Sequence, residues 1–109
     1  MDLFLLLTDY FQSDIISIYI DMNKNLILFC KVIGEPKRML ILGRLKKECC
    51  VSQLWKKLDL SQNLTSHHLR VLKKAGLISS EKRGKQVVYC LNEKSINRQI
   101  EQLEKFLKK

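Results

Sequence analysis

The chain opens with its most apolar stretch, residues 3–33, in which apolar side chains recur at mixed spacing. The first part fits an amphipathic helix, whereas the β-branched and aromatic middle fits either a helix or a strand. We predict helix throughout, with a break near residues 23–25.

Glu35-Pro36 then marks a turn, because proline suits a first helical turn and disfavours helical angles in the residue before it. The helix that follows, over about residues 37–45, is predicted to bury Met39, Leu40, Leu42 and Leu45 and to leave Lys37, Arg38, Arg44 and Lys46 in solvent.

The middle of the chain has the signals of two helices joined by a short turn. A short extended piece over residues 49–51 precedes Ser52, which is predicted to cap a helix over residues 53–58. Ser61 is predicted to cap the next helix, which ends at Gly76, a residue type that accepts the left-handed angles of helix ends. The inward face of that second helix is predicted to be Thr65, Leu69 and Leu72.

A β-hairpin and a final helix complete the pattern. The hairpin is predicted over residues 77–91, with its turn at residues 83–85 and with Val87, Tyr89 and Leu91 on one face. The helix over residues 93–108 carries apolar side chains spaced as in a coiled-coil seam. This stripe either covers the core or meets its twin across a two-fold axis, and the width added by Phe106 favours the twin. Its members are Ile96, Ile100, Leu103 and Leu107.

Length and charge narrow the class of protein. The 109 residues, 46% hydrophobic and 28% charged, have the composition of one globular domain. The formal net charge of +9 is unevenly placed, since residues 37–91 hold 13 basic and only three acidic side chains. Such an excess suits a polyanion, and nucleic acid is favoured over an anionic membrane surface. No stretch approaches the roughly 20 apolar residues that span a bilayer, so no membrane partner is expected.

A helix-turn-helix followed at once by a basic hairpin predicts a winged helix, in a chain that is mainly α with a small β-hairpin. The polar start of the second helix fits the major groove, where Gln and Asn amides can bond adenine edges. The alternative is a merely solvated polar face, which the ordered combination of cap, polar face, glycine stop and basic hairpin disfavours. The candidate DNA contacts are Gln62, Asn63, Ser66, His67 and Arg70 on the helix, with Lys82, Arg83 and Lys85 on the wing for phosphates or the minor groove.

Three stretches resemble the arsenical-resistance-repressor (ArsR/SmtB) family of winged-helix transcriptional regulators: KVIGEPKRMLILGRL, CCVSQLWKKLDLSQNLTSHHLRVLKKAGLI and RGKQVVYCL. The most specific part, LSQNLTSHHLRVLKKAGLI, matches the family's recognition helix and the start of its wing. The resemblance implies a homodimeric repressor that binds an inverted-repeat operator on double-stranded DNA and is released by an effector. It implies that Gln62, Asn63, Ser66 and His67 read bases, whereas we expect His68, which matches a frequent family histidine, to pack or form hydrogen bonds.

The same resemblance divides the chain into three parts. Residues 1–34 are expected to form an N-terminal helical dimerisation segment, and residues 35–92 the DNA-binding winged helix-turn-helix. Residues 93–109 are expected to form the C-terminal dimerisation helix. The first and last helices would then build the interface between two copies.

Cysteine usage bears on the compartment and on the effector. The opening residues have neither a basic region nor a small-residue cleavage site typical of secretion, so we expect a cytoplasmic protein with reduced thiols. The family's thiolate metal site resembles ELCVCDL, but this chain reads ECCVSQL, so Ser52 replaces the second cysteine. The family's other metal site uses histidines on the last helix, and residues 93–109 contain none.

One constellation of thiols is left. The short strand before the second helix of a winged helix pairs with the outer wing strand, which can bring Cys49 or Cys50 near Cys90. These thiolates would suit a soft metal or metalloid ion, or two of them could form a disulfide. The alternative is that all four cysteines are small core residues or exposed bystanders. Cys30 is expected to pack, and a role across two subunits is the other interpretation that stays open for it.

Two other classes of function stay open beside a DNA-binding repressor. A winged-helix protein-interaction module without DNA binding would have the same fold, although the polar face of the second helix argues against it. A thiol-redox protein would ordinarily use a C-x-x-C arrangement, which the chain lacks. No phosphate-cradling glycine loop or Ser-His-Asp signature is present, so we do not expect an enzyme.

Overall fold

The computed structural model describes residues 24–48 and 51–108. Within them, helices α1 (Lys24–Ile33) and α2 (Pro36–Lys47) precede strand β1 (Val51–Ser52), and helices α3 (Leu54–Lys57) and α4 (Gln62–Lys74) follow it. Strands β2 (Ile78–Arg83) and β3 (Gln86–Leu91) lead to helix α5 (Glu93–Leu107). The strands form an antiparallel sheet in the order β1-β3-β2. The chain is therefore mainly helical with a small β-hairpin, which confirms the predicted fold class.

Helix α1 meets α2 at a polar corner. The helix buries Leu26, Phe29 and Val32. Its residues include Lys24 and Asn25, so the predicted break does not extend to them, and the helix predicted before residue 24 lies outside the described residues. At the corner, the Glu35 side chain accepts a hydrogen bond from the Arg38 backbone N–H at 3.0 Å and caps α2. The prediction that the Arg38 side chain lies free in solvent is wrong, because its Nε donates a hydrogen bond to the Val32 carbonyl at 2.7 Å.

The buried face of α2 differs from the predicted stripe. Ile41 and Leu45, one helical turn apart, are 0% and 2% exposed. Met39 and Leu40, predicted to be buried, are about half exposed, while Leu42 is partly buried. The sequence run contains apolar residues on more than one side of the helix, so their spacing alone could not tell the core side from an open apolar side.

Helix α3 is shorter than predicted and begins differently. Ser52, the predicted cap, pairs with Val88 in the sheet, so its backbone is extended and belongs to β1. Gln53 takes the capping position with left-handed angles, φ 52° and ψ 45°, and makes no side-chain capping bond. Its carbonyl accepts from the backbone N–H groups of Lys56 and Lys57.

Helix α4 and the hairpin follow the prediction closely. Ser61 Oγ accepts from the Leu64 backbone N–H at 3.1 Å, and Gly76 has φ 79° just beyond the helix. Thr65, Leu69 and Leu72 are buried as predicted.

The predicted apolar face of β3 is only partly covered. Tyr89 and Leu91 pack against the core, but Val87 near the turn is exposed. Val88, on the opposite face of the sheet, is buried instead. Alternation along the strand therefore does not identify the buried positions, because the exposed end of the hairpin leaves Val87 in solvent although it shares a face with Tyr89.

Helix α5 starts with a cap from Asn92, whose Oδ1 accepts from the Ser95 backbone N–H. Ile96 and Leu103 pack against the core, whereas Ile100 and Leu107 are 46% and 68% exposed. The predicted seam is thus only half covered by the described residues.

None of the helices in these parts of the chain is long and apolar enough to cross a membrane. The buried core contains Leu26, Phe29, Val32, Ile41, Leu45, Val51, Leu54, Leu69, Leu72, Leu77 and Ile78.

Candidate nucleic-acid interface

Helix α4 has a polar outer face and an inner face that packs in the core. Thr65, Leu69 and Leu72 pack inward, and the helical period then directs the intervening side chains outward. The helix N-terminus is also open, apart from the Ser61 cap, and its backbone N–H groups favour anionic ligands. All five helix residues predicted to contact DNA are exposed together on this face: Gln62, Asn63, Ser66, His67 and Arg70.

A cleft of about 270 Å³ separates the start of α4 from the wing. From the predicted set it brings together Gln62 and Ser66 of the helix and Lys85 of the wing turn. The sequence reasoning missed two further amides on its wall, Gln53 and Gln86. Gln86 could have been found from its place directly after the hairpin turn, whereas the left-handed backbone that places Gln53 leaves no sequence signal.

The three wing cations differ in their surroundings. Lys82, Arg83 and Lys85 are all exposed around the turn, where Gly84 has φ 62°. Arg83 forms a salt bridge with Glu81 at 3.2 Å, which neutralises part of its charge. Lys82 and Lys85 form no salt bridge within the described residues, so no carboxylate there competes with an anionic partner for them.

His68 lies on the buried side of α4 and is 5% exposed, in line with the packing role expected of it. Its Nε2 is 3.7 Å from Glu35 Oε2, and its buried Nδ1 has no hydrogen-bond partner within the described residues. Burial lowers the pKa of His68 below its ordinary value of 6.5, and this effect outweighs the raising effect of the Glu35 carboxylate. The imidazole is therefore neutral at pH 7.

We expect this histidine to make the fold sensitive to acid. As the pH is lowered below about 6.5, the unfolded chain takes up a proton at His68 before the folded chain does. The free energy of unfolding therefore decreases as the pH decreases, until the lowered pKa of the folded state is reached. Urea denaturation at pH 8 and pH 5.5 measures the effect. The variant His68→Gln should lose part of the pH dependence, and His67→Gln, the exposed neighbour, should keep it. An equal slope in both variants would contradict this assignment.

The described cysteines occupy different environments. Cys30 is exposed on α1 with a free thiol, so the prediction that it packs is wrong within a single copy of the protein. Cys90 on β3 takes part in a disulfide, so the expectation of reduced thiols is wrong for this residue in the structure. Cys49 and Cys50 lie outside the described residues. Within residues 24–48 and 51–108, no three His, Cys, Asp or Glu side chains are grouped so that they could hold a metal ion.

A helix-turn-helix made of α3 and α4, followed by a basic hairpin whose strand β3 pairs with β1, defines a winged helix-turn-helix protein. Residues 35–80 match the family described as bacterial regulatory protein, arsR family. The chain belongs to this ArsR family of transcriptional regulators.

Individual relatives support the assignment. The chain is 32% identical over 89 residues to the transcriptional activator HlyU of Vibrio cholerae, and this alignment covers 78% of the present chain and 82% of HlyU. It is 39% identical over 65 residues to the cadmium resistance transcriptional regulatory protein CadC of Listeria innocua, covering 58% of this chain and 55% of CadC. It therefore spans only about half the length of CadC. A solved ArsR-like transcriptional regulator from Rhodococcus sp. RHA1 has a TM-score of 0.65 at 25% identity, over 74% of this chain and 77% of that one.

Proposed function

We propose that the protein is a sequence-specific DNA-binding transcriptional repressor acting in the cytoplasm. The observation that carries the proposal is the exposed polar face of α4 beside a basic wing, an arrangement that suits a major groove and its flanking backbone. Residues 37–91, which build this surface, carry 13 basic and three acidic side chains. Membership of the ArsR family supports the same assignment. In this proposal Gln62, Asn63, Ser66 and His67 contact bases, and Arg70, Lys82, Arg83 and Lys85 contact the backbone.

We further propose that two copies bind together through α1 and α5. An apolar groove of about 390 Å³ runs between these helices and α2. Met39 and Ile100 on its walls are about half exposed, and Leu107 continues the same apolar stripe of α5. Exposed apolar surface of this kind is typical of a protein interface, and a two-fold dimer would present two α4 helices to an inverted repeat. The groove is lined by Phe29, Ile33, Met39, Leu42, Gly43, Lys46, Leu91, Ile96, Ile100 and Leu103.

Release by an effector is the third part of the proposal, and we assign it to the thiols at one end of the sheet. Val51 pairs with Tyr89, and the next residue of β3 is Cys90, while Cys50 precedes Val51 in the sequence. Cys90 already takes part in a disulfide. In the reduced protein this disulfide is open, and its thiols would then bind a soft metal or metalloid ion or close again on oxidation, with Cys49 or Cys50 as partners of Cys90.

Fluorescence anisotropy of the reduced protein on DNA from upstream of its own coding sequence tests these proposals. Binding should be tight and should weaken steeply with salt. Arsenite, zinc, cadmium and a mild oxidant are then added in turn, and one of them should release the DNA from the wild type but not from Cys50→Ser or Cys90→Ser. Cys30→Ser, which removes the exposed thiol of α1, is the matched control and should respond like the wild type. If no added compound releases the DNA from the wild type or from the variants, the thiol site is refuted. If the protein binds no duplex at all, a protein-interaction module is favoured.

Base reading and backbone contact should separate in two variants. Asn63→Ala should reduce discrimination between the operator and a mismatched duplex by about 1–3 kcal/mol, because the alanine side chain cannot hydrogen-bond a base edge. Lys85→Ala should weaken binding to every duplex alike and lower the slope of log affinity against log salt by about 1. Competition titrations over a range of salt concentrations give both quantities. A wild-type preference in Asn63→Ala would refute the placement of α4 in the groove.

A further inference from the structure

A second cleft, of about 290 Å³, lies between the later part of α4 and the strands of the wing. Helix α4 contributes Ser66, Arg70 and Lys73, which are spaced four and three residues apart and therefore share one side of the helix. Ser80 comes from β2 and Tyr89 from β3. Three elements thus supply polar side chains to one small opening, of which Leu69 forms an apolar part of the wall.

The cleft is held in shape by contacts between its own walls. Lys73 Nζ donates a hydrogen bond to Ser80 Oγ at 2.6 Å, which joins the recognition helix to the wing. Ser80 is directly opposite Tyr89 in the β2–β3 pair, so both side chains are on the same face of the sheet. Tyr89 also pairs with Val51 of β1, which is buried in the core. The wing side of the cleft is therefore anchored to the core through one row of cross-strand neighbours.

The charges around the cleft are all positive. Arg70 and Lys73 form no salt bridge within the described residues, and no carboxylate lines the opening. Glu81 follows Ser80 along β2, but successive strand residues point to opposite faces, and its carboxylate pairs with Arg83. Beside the two cations, the cleft offers the hydroxyl groups of Ser66, Ser80 and Tyr89. After the bond to Ser80, the Lys73 ammonium has two N–H donors left, and the Ser80 hydroxyl can still donate.

We infer that this cleft seats one phosphate of the DNA backbone, an inference that rests on the proposed DNA-binding function. Two cations with several neutral donors match the oxygens of a phosphodiester, which accepts charge-assisted hydrogen bonds from each. The position selects the DNA backbone over a small phosphate ligand: the cleft is open to solvent and lies between the helix that enters a major groove and the wing that contacts the neighbouring strand. A DNA backbone that passes from the helix to the wing would cross the cleft. Lys73 and Ser80 therefore set the register of the wing on DNA, whereas the N-terminal residues of α4 read bases.

The test compares Lys73→Met with the wild type on the same upstream duplex. Lys73 is exposed, so the variant should fold, and we expect about tenfold weaker binding to all duplexes, with a salt slope lowered by about 1 for each phosphate that is no longer neutralised. Lys105→Met removes the same charge from the exposed side of α5 and should leave affinity and slope close to wild type. Ser80→Ala should weaken binding less than Lys73→Met, because it leaves the charge in place.

Single methylphosphonate substitutions along the duplex identify the phosphate. The wild type should bind more weakly when one particular phosphate of each half-site is made neutral, and Lys73→Met should be insensitive at that phosphate alone. Equal sensitivity of both proteins at every position would overturn the inference while leaving DNA binding intact. Inorganic phosphate that binds the free wild type but not Lys73→Met, with no methylphosphonate position that distinguishes the two proteins, would overturn the assignment to DNA in favour of a small anion. A wild type that binds no duplex would overturn both the inference and the proposed function.

Discussion

Replacing Ile100 with Glu should separate the proposed dimer into monomers. Ile100 is 46% exposed on α5 and lines the apolar groove between α1, α2 and α5. In a two-fold dimer the substitution would place a carboxylate from each copy into apolar surroundings, where an unpaired charge is strongly disfavoured. We expect the dimer dissociation constant to rise at least about 100-fold, which is about 3 kcal/mol. Operator affinity should fall with it, because a monomer contacts one half-site only.

Sedimentation velocity and anisotropy at matched concentrations measure the two effects. Arg98→Glu is the control, since it places a carboxylate at an exposed position two residues earlier, on the opposite side of α5. It should remain dimeric and bind the operator. A dimer of unchanged stability in Ile100→Glu would show that the groove is not the interface, whatever the effect on DNA binding.

The second large effect concerns Leu72, which supports the recognition helix from inside. Leu72 is 0% exposed and packs with Leu69 in the core beneath the outward polar face of α4. Leu72→Ala removes buried methyl groups and leaves a cavity, so the free energy of unfolding should fall by about 2–5 kcal/mol. A domain of this size has only about 5–15 kcal/mol in total, so the variant should lie near the limit of folding.

Urea denaturation followed by Trp55 fluorescence, at one fixed protein concentration, measures this loss. Lys74→Ala lies two residues further along the same helix, but its side chain is exposed. That control should change the free energy of unfolding by no more than about 0.5 kcal/mol. A loss below about 1 kcal/mol in Leu72→Ala would mean that the core beneath α4 is less tightly packed than the structure indicates.

The parts of this fold that can be predicted from sequence are those that rest on local chemistry. Ser61 and Gly76 bound α4 because a cap side chain and a left-handed glycine act within a few residues. The same holds for the hairpin turn at Gly84. The polar face of α4 follows from the helical period once its two ends are known, and the structure exposes every residue predicted there.

The predictions are wrong where a long-range contact decides the outcome. Ser52 has a good capping side chain, but pairing with Val88, 36 positions away, fixes its backbone in a strand. Met39 and Leu40 are apolar like Ile41, and only the packing of α1, α4 and β3 around α2 determines which side is covered. Lys73 is absent from the DNA contacts that the sequence predicts, because its partner Ser80 is brought beside it by the fold of the wing.

The polar corner at the start of α2 connects helices with different tasks. Glu35 caps α2 and faces His68 of the recognition helix, while Arg38 of the same turn holds the last carbonyls of α1. One turn of backbone therefore fixes the orientation of the helix proposed to meet the second copy relative to the helix proposed to read DNA. In the proposed dimer, the angle held at this corner would contribute to the distance between the two α4 helices, and hence to the half-site spacing that the pair accepts.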